Sequence, residues 1–500
     1  MVKFSRERRI LAWTFLFGLL AHGYCYFNLS YSHDSLMVYQ DDEYMQIAVG
    51  RFMHLPYLRL RGGFYTPALV GALSLLFLGL AICLMVRLLD MRRRSLLCLT
   101  TGILTTCATV TLTNATYIQD VDMYMLSLLL AAAGGWICAR SRWGFWTAGI
   151  FFCLSMGFYQ AFFQAAVFLA MMYVVKLILD GVPPQAVLRA GLHQVGGLLL
   201  GLLFYSAALQ LVFAVTGIPL LSTYGLGSAA RYESLGELLA YIRHTYGYVL
   251  HYFLHPAIHL SALAAAADLF LLVLSLLLVG FLVWRQQIRG WSLALLALVL
   301  CLMPFGMNVV YFISHGEEHY LMIFSLFLAY LFAAFLTERF LRETAPAVLH
   351  RWVRRAVCCA LGIVLFGSVV YAGQVYLKKD LEYQTTVFTL TRVADRLEQL
   401  EGYQPGETPV ALLGTLEDSP LLLRRPGQEA LFSDTGLWNE LSVTYYETYA
   451  AFFHRVLGYS IHILSQEQSD AWRERAEDLP VFPAPGSCAM LDGTAVVKLS

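Results

Sequence analysis

Apolar residues run along this chain in long blocks, and polar residues gather in the gaps between them. A helix that crosses a bilayer needs roughly 20 mostly apolar residues. Eleven stretches meet that need: 10–29, 64–86, 95–115, 122–138, 143–159, 161–179, 191–215, 261–284, 291–311, 320–337 and 356–376. Two of the gaps carry a helical pattern of their own. Met45, Ala48, Val49 and Phe52 recur at helical spacing, which predicts a short helix in the membrane interface that ends before Pro56. Ser234-Leu235-Gly236-Glu237 is a capping-box signature. Apolar residues from Leu238 to Phe253 continue it as a second interfacial helix, carrying Arg243 and His244 and stopped by Pro256.

Beyond Tyr376 the blocks give way to short, mixed elements. A helix is expected over 381–400, a buried strand over 409–414, a helix over 445–457 and a strand over 460–464. Residues 489–491 and 495–499 flank Asp492-Gly493, a hairpin signal. The fold class is therefore mainly α: a polytopic helical membrane protein of about eleven spans, residues 1–377, followed by a small α/β domain, residues 378–500. That tail has no glycine-rich phosphate loop and no triad-like cluster, which gives it a supporting or acceptor-binding role.

Composition agrees with the pattern. The chain is 58% hydrophobic and 14% charged, and no soluble globular class looks like that. Zero formal net charge argues against nucleic acid as a partner. Nine of the ten cysteines lie in or beside apolar runs and Cys488 stands alone in the tail, so the tail has no internal disulfide. No zinc-type spacing appears, and neither a metal nor another cofactor is called for. Arg6, Arg8 and Arg9 precede the run 10–26, which has no small-residue cleavage site behind it and reads as a retained first span.

Lysine and arginine set the orientation. Alternate connections carry Lys3/Arg6/Arg8/Arg9, Arg87/Arg92/Arg93/Arg94, Arg140/Arg142, Lys176/Arg189, Arg285/Arg289 and Arg339/Arg342/Arg351/Arg354/Arg355. The positive-inside rule puts these in the cytoplasm with the N-terminus, and an odd span count places the tail outside. The outer loops are then 30–63, 113–122, 216–260 and 312–319, together with a tight connection at Tyr159-Gln160.

Candidate chemistry gathers in those outer segments. Asp34, Asp41, Asp42 and Glu43 lie with His33 within eleven residues, directly after the first apolar run. A solvated linker is the ordinary reading. Ionisable groups at a membrane boundary are costly, however, and Asp120 and Asp122 add acids on the neighbouring outer loop. Carboxylates gathered near low-dielectric surroundings raise each other's pKa, which suits a general base. On a helix Asp41 and Asp42 diverge, so one of them points into a cavity. Asp120 or Asp122 caps the incoming helix as readily as it does chemistry. Arg51, Arg59 and Arg61 are positive charges on the side that should have few; they either snorkel to headgroups or clamp a phosphate, for which arginine's planar fork is shaped. His315 and His319, four apart, share a helix face and suit hydrogen bonding to a phosphate or sugar better than metal binding without further ligands.

These stretches carry a resemblance. His33-Asp34-Ser35, Asp42 ahead of Gly50-Arg51-Phe52, Asn114-Ala115-Thr116-Tyr117 followed by Asp120 and Asp122, Gly157-Phe158-Tyr159-Gln160, and His319 with Leu321-Met322 together resemble the bacterial multi-span glucosyltransferases of the GtrII type, related to O-antigen glucosylation. Those enzymes resemble the wider GT-C class, which takes a sugar from a polyprenyl-phosphate carrier. The resemblance implies residence in the bacterial inner membrane, a polyprenyl-phosphate-linked glucose donor and a cell-envelope glycan acceptor. It also implies catalysis under the first long outer loop, with an acid there as base. Asp42 is favoured, with Asp41, Asp34 and Asp120 as alternatives. Arg51 or Arg61, with His319, would stabilise the leaving phosphate, and Asp122, Tyr159, Gln160 and His315 would line the substrate. A transporter or flippase with Asp120, Asp122 and His315 as a relay is the rival, but the halves show no clear repeat. An acyl- or phosphoethanolamine-transferring enzyme would call for an acyl motif or a metal cluster, and neither is evident.

Overall fold

The computed structural model describes residues 5–28, 31–32, 35–36, 43–62, 66–221, 232–254, 261–316, 320–416 and 446–500, with the side chains of Ser5 and Glu43 outside the description. Contacts divide the chain into two compact units. The first is Met1–Phe27, Glu43–Asn114 and Ile118–Gly373; the second is Asn28–Asp42, Ala115–Tyr117 and Gln374–Ser500.

In chain order the helices of the first unit are α1 (Ser5–Phe27), α2 (Glu43–Ala48), α3 (His54–Leu60), α4 (Pro67–Leu88), α5 (Arg94–Thr106), α6 (Ala108–Thr116), α7 (Val121–Arg140), α8 (Gly144–Phe158), α9 (Phe163–Leu179), α10 (Pro184–Thr216), α11 (Leu235–Leu254), α12 (Ala262–Arg285), α13 (Gly290–Met307), α14 (Val309–Ile313) and α15 (Phe324–Phe340). Helix α16 (Ala347–Glu398) runs from the first unit into the second. Each predicted apolar segment overlaps one or two of these helices. Nine helical stretches among the described residues are long and apolar enough to cross a membrane, which makes this a multi-pass membrane protein. Helix α8, at 15 residues, and α15, at 17, are shorter.

Three segments depart from a simple helix. The predicted helix before Pro56 is two: α2 ends ahead of Gly50, whose φ of 86° turns the chain, and α3 carries Pro56 in its first turn. Proline is tolerated there because first-turn N–H groups have no intrahelical partner anyway. The segment 95–115 breaks at Cys107, which takes an extended conformation between α5 and α6. The segment 291–311 breaks at Asn308, after the in-helix Pro304.

Small residues let the long helices close on one another. A Cβ on Gly134 of α7 would lie 2.6 Å from Phe152 of α8, and one on Gly201 of α10 would lie 2.5 Å from the same side chain. Both helices therefore pack directly onto Phe152 because they present no side chain there. At the other end of several helices the basic residues meet. Arg87 pairs with Glu7 at 2.9 Å, Arg6 donates to the Met91 carbonyl, Arg342 reaches Asp90, and Arg339 pairs with Asp180. Glu338, 2% exposed, accepts the backbone N–H groups of Arg92 and Arg93 at 2.8–3.0 Å as well as the Arg342 guanidinium at 2.8 Å.

The second unit holds strands β1 (Pro409–Leu413), β2 (His462–Ile463), β3 (Cys488–Leu491) and β4 (Thr494–Lys498), with helices α17 (Tyr449–Arg455) and α18 (Gln466–Asp470). The sheet order is β2-β1-β4-β3; β1 is parallel to both neighbours and β3 antiparallel to β4. Strand β1 is buried on both faces, Val410 and Leu412 against α16 and α17 residues, Ala411 and Leu413 against Ala476. That explains its unbroken apolar run, since a strand covered on both sides has no polar alternation.

Candidate active site

At the end of α7 opposite Arg140, the segment 43–61 is fastened to the starts and ends of neighbouring helices. His54, Tyr57 and Arg61 follow one another at i, i+3 and i+7, so α3 presents them on a single face. Arg61 Nη1 donates to Asp122 Oδ1 at 2.7 Å and Nη2 to the Gln119 carbonyl at 2.9 Å. The side chains of this ion pair are 5% and 0% exposed. Tyr57 donates its hydroxyl to Asp122 Oδ2 at 2.9 Å, and the Met123 N–H donates to Oδ1 at 3.0 Å. Three donors thus close the Asp122 carboxylate, which fits the rule that a buried charge is retained only when paired and hydrogen-bonded. Burial and the neighbouring Asp122 charge push the Tyr57 hydroxyl well above the usual tyrosine range, so it stays a donor.

His54 is buried, and its Nε2 lies 3.1 Å from the Phe158 carbonyl. Burial, helped by the Arg51 charge, lowers its pKa to about 3. The ring is neutral, and because a carbonyl only accepts, Nε2 carries the proton. One residue earlier the Met53 N–H donates to the Gly157 carbonyl at 2.9 Å. A Cβ on Gly157 would lie 2.8 Å from Met53 and Phe52 atoms, so glycine is what lets the two backbones approach.

Between these anchors stands Arg51. Its guanidinium lies 5.1 Å from the centroid of the Tyr159 ring, and Nη1 is 3.4 Å from both Gln46 Oε1 and the Tyr124 hydroxyl. Tyr124 and Tyr159 pack edge to face at 4.6 Å. The turn that delivers Arg51 is held from behind. Gln160 donates to the Val49 carbonyl at 2.9 Å and to the Tyr205 hydroxyl at 3.0 Å, and that hydroxyl donates to the Gly50 carbonyl at 3.0 Å.

The structure therefore brings together Arg51, Arg61, Asp122, Tyr159 and Gln160 from the sequence-derived set, with Asp120 beside them. Asp120 is 8% exposed and sits at the N-cap of α7; its carbonyl accepts the Met123 and Tyr124 N–H groups, while its side chain caps nothing. His315 packs against other partners, Tyr232, Tyr241 and Glu237. Asp34, Asp41, Asp42 and His319 lie outside the described residues. Sequence reading passed over His54, Tyr57, Gln119 and Tyr205. The shared face of residues 54, 57 and 61 was a usable signal for the first two; nothing in the pattern pointed to the others. Gln119 is 2% exposed with both amide atoms lacking a hydrogen-bond partner, and Arg61 Nε is likewise buried and unpartnered. Such groups cost free energy when left empty, so they mark where a polar ligand or water would be bound. Among the described residues no group of three histidine, cysteine or acidic side chains is placed to hold a metal ion.

Comparison with known proteins adds one finding. Residues 23–338, which contain every contact described above for this site, match the family described as Glucosyl transferase GtrII. No curated protein and no solved structure matches the chain.

Proposed function

Because the chain belongs to the GtrII glucosyltransferase family, we propose that it moves glucose from a polyprenyl-phosphate carrier to a cell-envelope glycan on the outer face of the bacterial inner membrane. Asp42, directly ahead of α2, takes the proton from an acceptor hydroxyl; Asp41, Asp34 and Asp120 are the alternatives. The hydroxyl oxygen attacks the anomeric carbon while the bond from that carbon to the phosphate oxygen breaks. Its electron pair leaves on the phosphate, and the anomeric centre inverts.

What supports this reading is a single arrangement, a segment pinned at both ends with Arg51 held between the pins. Gln160 and Tyr205 fix Val49 and Gly50, and Asp122 fixes Arg61. Arg51, its guanidinium held over Tyr159 and beside Gln46 and Tyr124, is the group that recognises the leaving phosphate. A donor positioned in advance where charge develops is worth a few kcal/mol in the barrier. The unpartnered Gln119 amide offers one donor and one acceptor to a sugar hydroxyl.

The test uses labelled donor lipid and purified protein in lipid discs. Arg51→Ala should lower turnover by about 10²–10³-fold, and Arg51→Lys should restore part of it, because the charge returns without the fork. Asp42→Asn should abolish transfer. Wild-type transfer by a folded Asp42→Asn protein removes it as the base, and unchanged turnover in both Arg51 variants removes the clamp.

A further inference from the structure

Helix α11 has three stripes. Thr245, Val249 and Tyr252 are buried, and Leu239, Leu250 and Leu254 are exposed. Glu237, Tyr241, His244 and Tyr248 follow at spacings of four, three and four, which is one further face of the helix. That face is neither core nor bare apolar surface. It meets α14 and the turn after it: Tyr248 lies 4.9 Å from Tyr311, and Tyr241 lies 4.8 Å from His315. Tyr232, just ahead of the helix, stacks on Phe312 at 4.9 Å and stands edge-on to His315 at 4.9 Å.

Two polar atoms face each other at the centre of this ledge without bonding. His315 Nε2 has no hydrogen-bond partner, and Glu237 Oε1 is 3.7 Å away, beyond hydrogen-bond reach. The other carboxylate oxygen is engaged, since Glu237 Oε2 accepts the Glu233 N–H at 2.8 Å while Ser234 Oγ accepts the Glu237 N–H at 3.1 Å. The Glu237 side chain is 33% exposed and the His315 side chain 31%, with the His315 Nε2 atom itself covered, so a ligand meets the carboxylate and the ring of His315 rather than that nitrogen. His315 is held in the left-handed region at φ 53°, an uncommon backbone for a non-glycine residue. The connection leading to this ledge also touches the Arg51 segment, where the Leu221 N–H donates to the Ala48 carbonyl at 3.0 Å.

Aromatic faces are electron-rich and attract the polarised C–H bonds on one side of a pyranose ring. Glu237 Oε1, beyond hydrogen-bond reach of His315 Nε2, can accept a hydroxyl of a ring seated on these aromatic faces. An anionic ligand is repelled by Glu237. The rings pack on one another instead of converging on a point, so they form a platform and not a cage for a cation. We propose that Tyr232, Glu237, Tyr241 and His315 form a subsite for a pyranose unit of the glycan acceptor. This inference rests on the transferase reading for its place in the reaction, though not for the binding itself.

The experiment therefore has two arms. In the first, neutral oligosaccharides released from the bacterial envelope polysaccharide are mixed with full-length Asp42→Asn protein in lipid discs, and contact is read by saturation-transfer NMR. Tyr241→Ala or Glu237→Gln in that background should weaken binding by about tenfold, the loss of one ring face or one hydrogen bond. Glu237→Gln keeps the side-chain type that a capping box accepts, so it tests the ledge even if Tyr241→Ala fails to fold. In the second arm, transfer from labelled donor lipid is measured against oligosaccharide concentration, and the rise should fall on the acceptor KM and not on kcat. Oligosaccharide contact without any donor turnover in the wild type would sink the transferase reading and leave the subsite standing. Turnover with unchanged acceptor KM in both variants, or signals from tetramethylammonium in place of oligosaccharide, would overturn the subsite.

Discussion

Removing the Asp122 carboxylate is the most informative single perturbation of the pinned segment. In Asp122→Ala the Arg61 guanidinium, 5% exposed, keeps only the Gln119 carbonyl, and the Tyr57 hydroxyl and Met123 N–H lose their acceptor. Breaking a buried ion pair from one side costs about 3–5 kcal/mol, because the partner charge stays behind uncompensated. Arg61→Met should cost less, about 2–3 kcal/mol, since Asp122 retains two donors. The double variant Arg61→Met/Asp122→Ala removes both charges and leaves two neutral donors and the Gln119 carbonyl wanting, so about 1–2 kcal/mol is expected. The cycle then has a coupling of at least about 3 kcal/mol. Thermal unfolding of purified protein in detergent reads stability, and glucose transfer from labelled donor reads function. If the double variant is as unstable as the two singles added together, Arg61 and Asp122 are not one unit and the pinning argument is wrong. If it is stable but inactive while Arg51 contacts persist, Arg61 or Asp122 touches substrate directly.

Two further outcomes follow from the same region. His54 has a folded pKa near 3 against an ordinary 6.5, so the unfolded chain binds the extra proton first and stability is lost as pH falls from about 6.5 towards 3, by up to about 1.4 kcal/mol per pH unit; a thermal-midpoint profile of His54→Gln should be flatter over that window, and an unchanged slope refutes the neutral, buried ring. Gly157→Ala places a methyl 2.8 Å from Met53 and Phe52 atoms, and should destabilise by about 1–3 kcal/mol while lowering turnover, checked by the same two assays.

Local features were readable in the sequence to the extent that neighbours along the chain decide them. Ser234 and Glu237 cap α11 much as their spacing predicts. Asp492 and Gly493 both take positive φ, 45° and 79°, and turn β3 into β4 with Leu491 opposite Thr494. Pro56 misled because proline ends a helix only when it falls beyond the first turn, and the short spacing from Gly50 hid where that turn begins. The site itself was half legible. Charge on an apolar background singled out Arg51, Arg61 and Asp122, but the locking of Arg61 depends on a pairing across 61 residues. His54 and Gln119 take their meaning from burial alone, which no periodicity in those loops encodes.

The Glu338 contact has a consequence for how the protein is made. Its carboxylate sits 246 positions downstream of the Arg92 amide it satisfies, at the entry to α5. A ribosome adding about 5–20 residues per second needs roughly 12–50 s to cover that distance. For that interval the early helix stands in the membrane with the front of its backbone still waiting for a partner. Chains interrupted before α15 should therefore leave α5 frayed at its start, visible as early amide exchange or proteolytic nicking near Arg92, however well the first helices insert.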